Sequence, residues 1–219
     1  MKSIMISPFL PSIPKIVTIP SGETATAILT YTAFLLLFGL TAFLVSQYAA
    51  EHFNGSKNKT AFVFVGIAAL VSVLLLCFFG CAVSVVQGIL FCLILLFSSY
   101  SDIKTRESND YLAVMIALTA FIGREVSDIP GMLLSAVLIT IPMFLVLIIC
   151  KGKAIGGADI KLSAACALLL GISRGIVGLM AGLSIGIIAN LIIQLKRDKS
   201  KSFPLIPYLS AGFMAAYFI

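Results

Sequence analysis

From Ala61 to Ser99 the chain carries no charged residue. As one helix this run would be about 58 Å long at ~1.5 Å per residue, nearly twice the ~30 Å hydrocarbon core of a bilayer. A water-soluble fold cannot hide such a run, and a single crossing cannot absorb it. It reads as two membrane spans joined by a tight turn near Gly80, because glycine opens backbone conformations closed to other residues. Composition agrees. Of 219 residues, 60% are hydrophobic and 11% charged, with a mean hydropathy of +1.14. Soluble domains carry about 25% charged residues, so there is no polar surface here for a soluble globule.

The same reasoning along the whole chain predicts an all-α, polytopic transmembrane helical bundle of about eight spans. The first covers Ala25 to Ala50, followed by a polar loop from Glu51 to Thr60. The uncharged run supplies the second and third, the third ending at Tyr100 with Asp102 in the loop beyond it. The fourth is short, Tyr111 to Gly123. The fifth runs from Gly131 to Cys150, with Pro142 a predicted kink. The sixth, Asp159 to Ile172, is again short, and Arg174-Gly175 turns the chain into a seventh ending near Leu195. Phe203-Pro204 introduces the last, Leu205 to Ile219. Ahead of these lies a tail, residues 1–24, with Pro8, Pro11, Pro14 and Pro20. That spacing excludes a helix, and the tail lacks the basic start, apolar core and cleavage site of a signal peptide.

The net charge of +6 belongs to the loops and sets topology rather than binding nucleic acid. Lys57/Lys59, Lys104/Arg106, Lys151/Lys153 and the cluster Lys196 to Lys201 fall on one face, with Lys161 just inside it. The other face has only Lys2, Lys15, Arg124 and Arg174. The positive-inside rule makes the first face cytoplasmic in a multi-pass cell-membrane protein, with both termini on the non-cytoplasmic side. The five cysteines lie in or beside apolar runs with no CxxC pair, so they read as small buried hydrophobes and no metal site is expected. His52 reads as a solvated loop histidine.

Two stretches repeat Asp-Ile-Lys where an apolar run meets a polar loop: Ser101-Asp102-Ile103-Lys104 and Gly156-Gly157-Ala158-Asp159-Ile160-Lys161. Ionisable groups at a membrane boundary are costly and so point to function. The topology puts Asp102 and Asp159 on one face, where they would work as a pair. Two neighbouring carboxylates cannot both ionise cheaply, and together they hold one proton near neutrality. The charged member can then take a proton from water while the neutral one polarises a carbonyl. No cofactor is needed. Gly156 and Gly157 would free the backbone and admit a substrate strand, and Asp159 would start the sixth helix below the membrane surface. Simpler roles compete: Asp159 as a helix N-cap, and Asp102 as an ordinary loop acid. Lys104 and Lys161 read as interface anchors, and Glu107, Asp110, Glu125, Asp128 and Asp198 as solvated loop acids. Two other classes would also use paired acids and broken spans: an ion-coupled transporter, or a non-catalytic membrane subunit of an assembly.

These residues resemble the type IV prepilin peptidase family, the membrane aspartyl proteases of GxGD type. Asp102-Ile103-Lys104-Thr105-Arg106 with Asp110, and Gly156-Gly157-Ala158-Asp159-Ile160-Lys161-Leu162, carry the likeness. Phe203-Pro204-Leu205-Ile206-Pro207-Tyr208-Leu209 resembles the opening of the family's last helix. The resemblance covers about Leu90 to Ile219. It implies that Asp102 and Asp159 are the catalytic pair, that Gly156, Gly157, Ala158, Lys104 and Lys161 shape the cleft, and that residues 81–219 form the catalytic region. It implies pilin-like precursors as substrates, cut at the cytoplasmic edge of their hydrophobic segment. A basic enzyme face would repel a basic leader, so Glu107 or Asp110 would help to dock it. Ala158 stands where the family has a second glycine, Asn109 where it usually has proline, and Ser108 where it has an apolar residue. The zinc-binding segment of longer, methylating members is absent, so peptidase activity without methylation is expected. Residues 25–80 fall outside the resemblance and carry no assigned task.

Overall fold

The computed structural model describes residues 24–80, 82–106, 109–149, 155–196 and 203–219. The Pro-rich tail, Cys81, Glu107, Ser108 and most of the loop between Cys150 and Ile155 lie outside the described residues. Among the described residues all regular structure is helical. The eight α-helices are α1 (Thr24–His52), α2 (Lys57–Phe79), α3 (Val83–Thr105), α4 (Asp110–Thr119), α5 (Ile129–Ile149), α6 (Gly157–Leu170), α7 (Ile172–Lys196) and α8 (Ile206–Tyr217). A 3₁₀ turn, Val126–Asp128, leads into α5.

Five helices are long and apolar enough to cross a membrane: α1, α2, α3, α5 with its leading turn, and α7. The remaining three are shorter than the ~20 residues a crossing needs, with 10 in α4, 14 in α6 and 12 in α8. The uncharged run divides as its length demands. Helix α2 stops at Phe79, and Gly80 takes φ 63° with ψ −151°, a combination only glycine holds without strain.

Helix α3 is the central column. It buries 56% of its span window, against 22–28% for the other spans. Phe38 and Ala42 of α1, and Ala68, Val71 and Leu75 of α2, share one buried cluster with Ile89, Cys92 and Leu95 of α3. The same cluster takes in Leu162 and Leu169 of α6 and Leu209 and Phe213 of α8. The exposed large side chains of α1, α2, α5 and α7 are almost all apolar, Leu36, Phe62, Leu134 and Ile187 among them. Such an outer surface suits lipid as solvent.

Several sequence expectations need correction. Helix α3 does not end at Tyr100 but continues through Thr105, so Asp102 sits in its last turn rather than in a loop. The stop comes at Arg106, which takes the left-handed conformation at φ 58° and donates its N–H to the carbonyl of Asp102. Helix α6 begins at Gly157, two residues before Asp159. Helix α1 runs two residues past Ala50, so His52 is helical; it is exposed and stacks on Tyr48 at 5.8 Å. Cys77 is exposed on α2, unlike the buried Cys92 and Cys166.

Candidate active site

Three helix ends meet at one end of the bundle: the C-terminus of α3 and the N-termini of α6 and α8. Asp102 is 7% exposed, which rules out an ordinary solvated loop acid. The last turn of a helix is a poor place for a carboxylate, because the macrodipole is negative there. Helix α8 supplies the compensation. The backbone N–H of Ile206, at its start, donates to Asp102 Oδ2 at 3.1 Å inside the protein. First-turn amides have no partner within their own helix, and Pro207 offers none at all, so the Ile206 amide is one of few available at this helix start.

Asp159 is half-buried in the first turn of α6. It is the third helical residue, not the N-cap. Gly156 occupies the cap position, and its N–H donates to Asp159 Oδ2 at 2.9 Å. This is the carboxylate half of a capping box; glycine has no side chain to complete the other half. Asp159 lies outside the five spans. Burial pushes its carboxyl up to about 6, the Gly156 N–H opposes the rise, and the charge of Asp102 adds to it. The Asp102 carboxylate is therefore close enough to act on Asp159. Together they form a pair that can hold a proton, activate water and polarise a carbonyl.

The glycines work differently from the sequence expectation. Gly156 is extended at φ −82°, and neither it nor Gly157 has a positive φ. No forbidden backbone conformation is needed. A Cβ on Gly156 would press to 3.3 Å from Asp159 Oδ2, while at Gly157 it would meet nothing within 4 Å. Both are exposed, so their smallness leaves the approach to Asp159 open. Ala158 follows in the helix, where alanine is the most favourable residue.

Lys161 and Asp110 form an ion pair, Nζ to Oδ2 at 2.6 Å, tying the N-terminal part of α6 to the first turn of α4. Lys161 is thus not a simple interface anchor, and Asp110 is not a free loop acid. Lys104 points elsewhere, with its ammonium 5.8 Å from the centre of the Tyr100 ring. Glu107 lies outside the described residues. Among the described residues no group of three His, Cys, Asp or Glu side chains is placed to hold a metal ion.

Sequence reasoning missed the Ile206 amide, because a backbone donor leaves no mark on residue identity. The helix-opening Leu205-Ile206-Pro207 was the available signal. It also missed two buried hydroxyls, Ser163 and Ser210, that have no hydrogen-bond partner among the described residues. Each lies one helical turn beyond a site residue, Ser163 after Asp159 and Ser210 after Ile206, so each shares that residue's face.

The model of the type IV leader peptidase family matches residues 89–192. Asp102, Asp159, Asp110 and Lys161 all fall inside the match; α1, α2 and α8 fall outside it. No curated protein and no solved structure matches the chain.

Proposed function

We propose that this chain, whose residues 89–192 form a type IV leader peptidase domain, is an aspartic-type endopeptidase that removes the short basic leader of type IV pilin-like precursors. One observation carries the reading: two carboxylates inside that domain meet at one end of the bundle, Asp102 bonded to the start of α8 and Asp159 at the start of α6, whose Ile160 packs in one cluster with Leu205 beside that bond.

In this reaction the pair shares one proton. Asp102, facing the N-terminus of α8, is the member better suited to stay charged. It takes a proton from water as the water oxygen bonds to the scissile carbonyl carbon. Asp159 gives its proton to the carbonyl oxygen. The tetrahedral intermediate then collapses as a proton passes to the amide nitrogen, the C–N bond breaks, and acid and amine products leave. The pair returns to its starting protonation. Residues 81–219 constitute the catalytic region, with α1 and α2 as an added membrane flank.

Charge supports a cytoplasmic location for the site. The aspartate end of the bundle bears Lys57, Lys59, Lys104, Arg106 and Lys161, and the opposite end Arg124 and Arg174. A basic leader arriving there would compete with Lys161 for the Asp110 carboxylate.

The test is leader cleavage in proteoliposomes, using a pilin-like precursor from the same organism. Asp102→Asn and Asp159→Asn are expected to insert and fold yet lose cleavage by at least about 10²–10⁴-fold, the usual worth of a general acid or base. Either variant cutting like wild type would overturn the two-carboxylate mechanism. A wild type inert on every such precursor would overturn the peptidase assignment.

A further inference from the structure

The opposite end of the bundle holds a cavity of about 220 Å³. It lies where α2, α6 and α8 end and α3 and α7 begin, far from the aspartates along the helix axes. Its lining includes Arg124, Arg174, Gln87 and Tyr217. Among the described residues no acidic side chain lines it.

Most polar groups there are already committed. The Tyr217 hydroxyl donates to the Ser84 carbonyl at 2.6 Å. Gln87 Nε2 donates to the carbonyls of Thr119 and Ala120, closing the end of α4. Arg124 donates through one nitrogen to the Leu169 carbonyl at 3.2 Å, a favourable site for a cation at the C-terminus of α6. That leaves most of its fork of five donors unused. Arg174 has no hydrogen bond or ion pair among the described residues. It sits in the first turn of α7, where the macrodipole disfavours a cation. Gly171, at φ 80°, makes the turn that brings it there.

Both guanidinium groups act electrostatically on the Tyr217 hydroxyl, so the two positive charges share one neighbourhood. Their placement also runs against topology. They are the only Lys or Arg at this end among the described residues, an end where the positive-inside rule selects against cations. Two guanidinium groups around one cavity, neither in an ion pair among the described residues, match a tetrahedral oxyanion, which they can hold by paired N–H donors. The cavity is several times the ~30 Å³ share of one water, so such a group fits. Both arginines are exposed, leaving the cavity open at the membrane surface.

We propose that this cavity is a binding site for a single phosphate-type anion, held between Arg124 and Arg174. A phospholipid headgroup and free inorganic phosphate are the two sources. The site is independent of the aspartate pair and of the reaction assigned to it.

The experiment follows thermal unfolding of the detergent-solubilised full chain by circular dichroism. The probes are dihexanoyl phosphatidylglycerol, inorganic phosphate and, as a phosphate-free control, dihexanoylglycerol. At about 100 times its Kd a bound anion raises Tm by about 5–11 °C. A rise with phosphatidylglycerol alone identifies a lipid headgroup; an equal rise with inorganic phosphate identifies the free anion. Arg174→Gln breaks no described contact and is expected to abolish the rise while leaving leader cleavage intact. Arg124→Gln should do the same, with a lower starting Tm from the lost Leu169 bond. No rise in wild type, an equal rise with dihexanoylglycerol, or an undiminished rise in Arg174→Gln would overturn the proposal.

Discussion

Asp159 shows how one residue's surroundings turn a common amino acid into a titrating group. Its carboxyl, ordinarily near 3.8, is pushed up to about 6 by burial first, with the Asp102 charge adding to it. The native state therefore binds the proton more tightly than the unfolded chain does. Stability falls as pH rises from about 4 to about 6, and the loss persists above that. Asp159→Asn removes the penalty, so its Tm should exceed wild type at pH 8 and approach it at pH 4. Equal Tm differences at both pH values would contradict the assignment. Activity should follow the same proton. Leader cleavage is expected to decline on the alkaline side with an apparent pKa near or above 6, a value belonging to the pair rather than to either member. A rate still rising steadily from pH 6 to 9 would exclude a shared proton. The Lys161–Asp110 pair is a different case. Its side chains are 58% and 66% exposed, and solvent-screened pairs of this kind contribute ~0–1 kcal/mol. Lys161→Gln should therefore change thermal stability by less than about 1 kcal/mol in a double-mutant cycle with Asp110→Asn.

At the scale of elements, α8 matters more than its 12 residues suggest. It supplies the amide that holds Asp102, so its seat against α7 controls the site. That seat is backbone on backbone. A Cβ on Gly212 would lie 2.6 Å from the Cα of Gly182, and a Cβ on Gly182 would lie 2.8 Å from the Cα of Leu209. Backbone atoms cannot swing aside as side chains do. Gly212→Val is expected to cost about 1–3 kcal/mol through overpacking and to lower leader cleavage more than tenfold by moving Ile206 away from Asp102. Gly39→Ala in α1, where a Cβ meets nothing within 4 Å, should leave both Tm and cleavage at or above wild type. The helices themselves were legible because hydrophobic runs and Gly80 announce them. Their ends were less so. Asp102 fell inside α3 because Arg106 caps the helix in a left-handed conformation, an uncommon choice for arginine that no propensity predicts. The start of α6 moved to Gly157 because the Asp159 carboxylate caps backward onto Gly156.

For the whole molecule, the repeated Asp-Ile-Lys tripeptide led to the site because both copies sit at polar-apolar boundaries of the same parity along the chain. The Ile206 amide and the arginine-lined cavity stayed hidden because they exist only once distant helix ends meet. That convergence also bears on orientation. The Thr60–Tyr100 contact at 3.1 Å, the Lys161–Asp110 pair and the Ile206–Asp102 bond join alternate helix ends at one pole. The cavity between Arg124 and Arg174 joins the others at the opposite pole. The two poles carry different charge, and the proposed function requires the lysine-rich one to face the cytoplasm. Single cysteines test this directly once the native cysteines are replaced. Ser127→Cys is exposed beside the arginine pole and Lys57→Cys beside the aspartate pole. A membrane-impermeant maleimide should label Ser127→Cys in intact cells and Lys57→Cys only after permeabilisation. The reverse pattern would place the aspartates outside the cell. The site would then stand on the wrong side of the membrane to meet the leader of a newly made precursor, and the peptidase reading would need a different substrate.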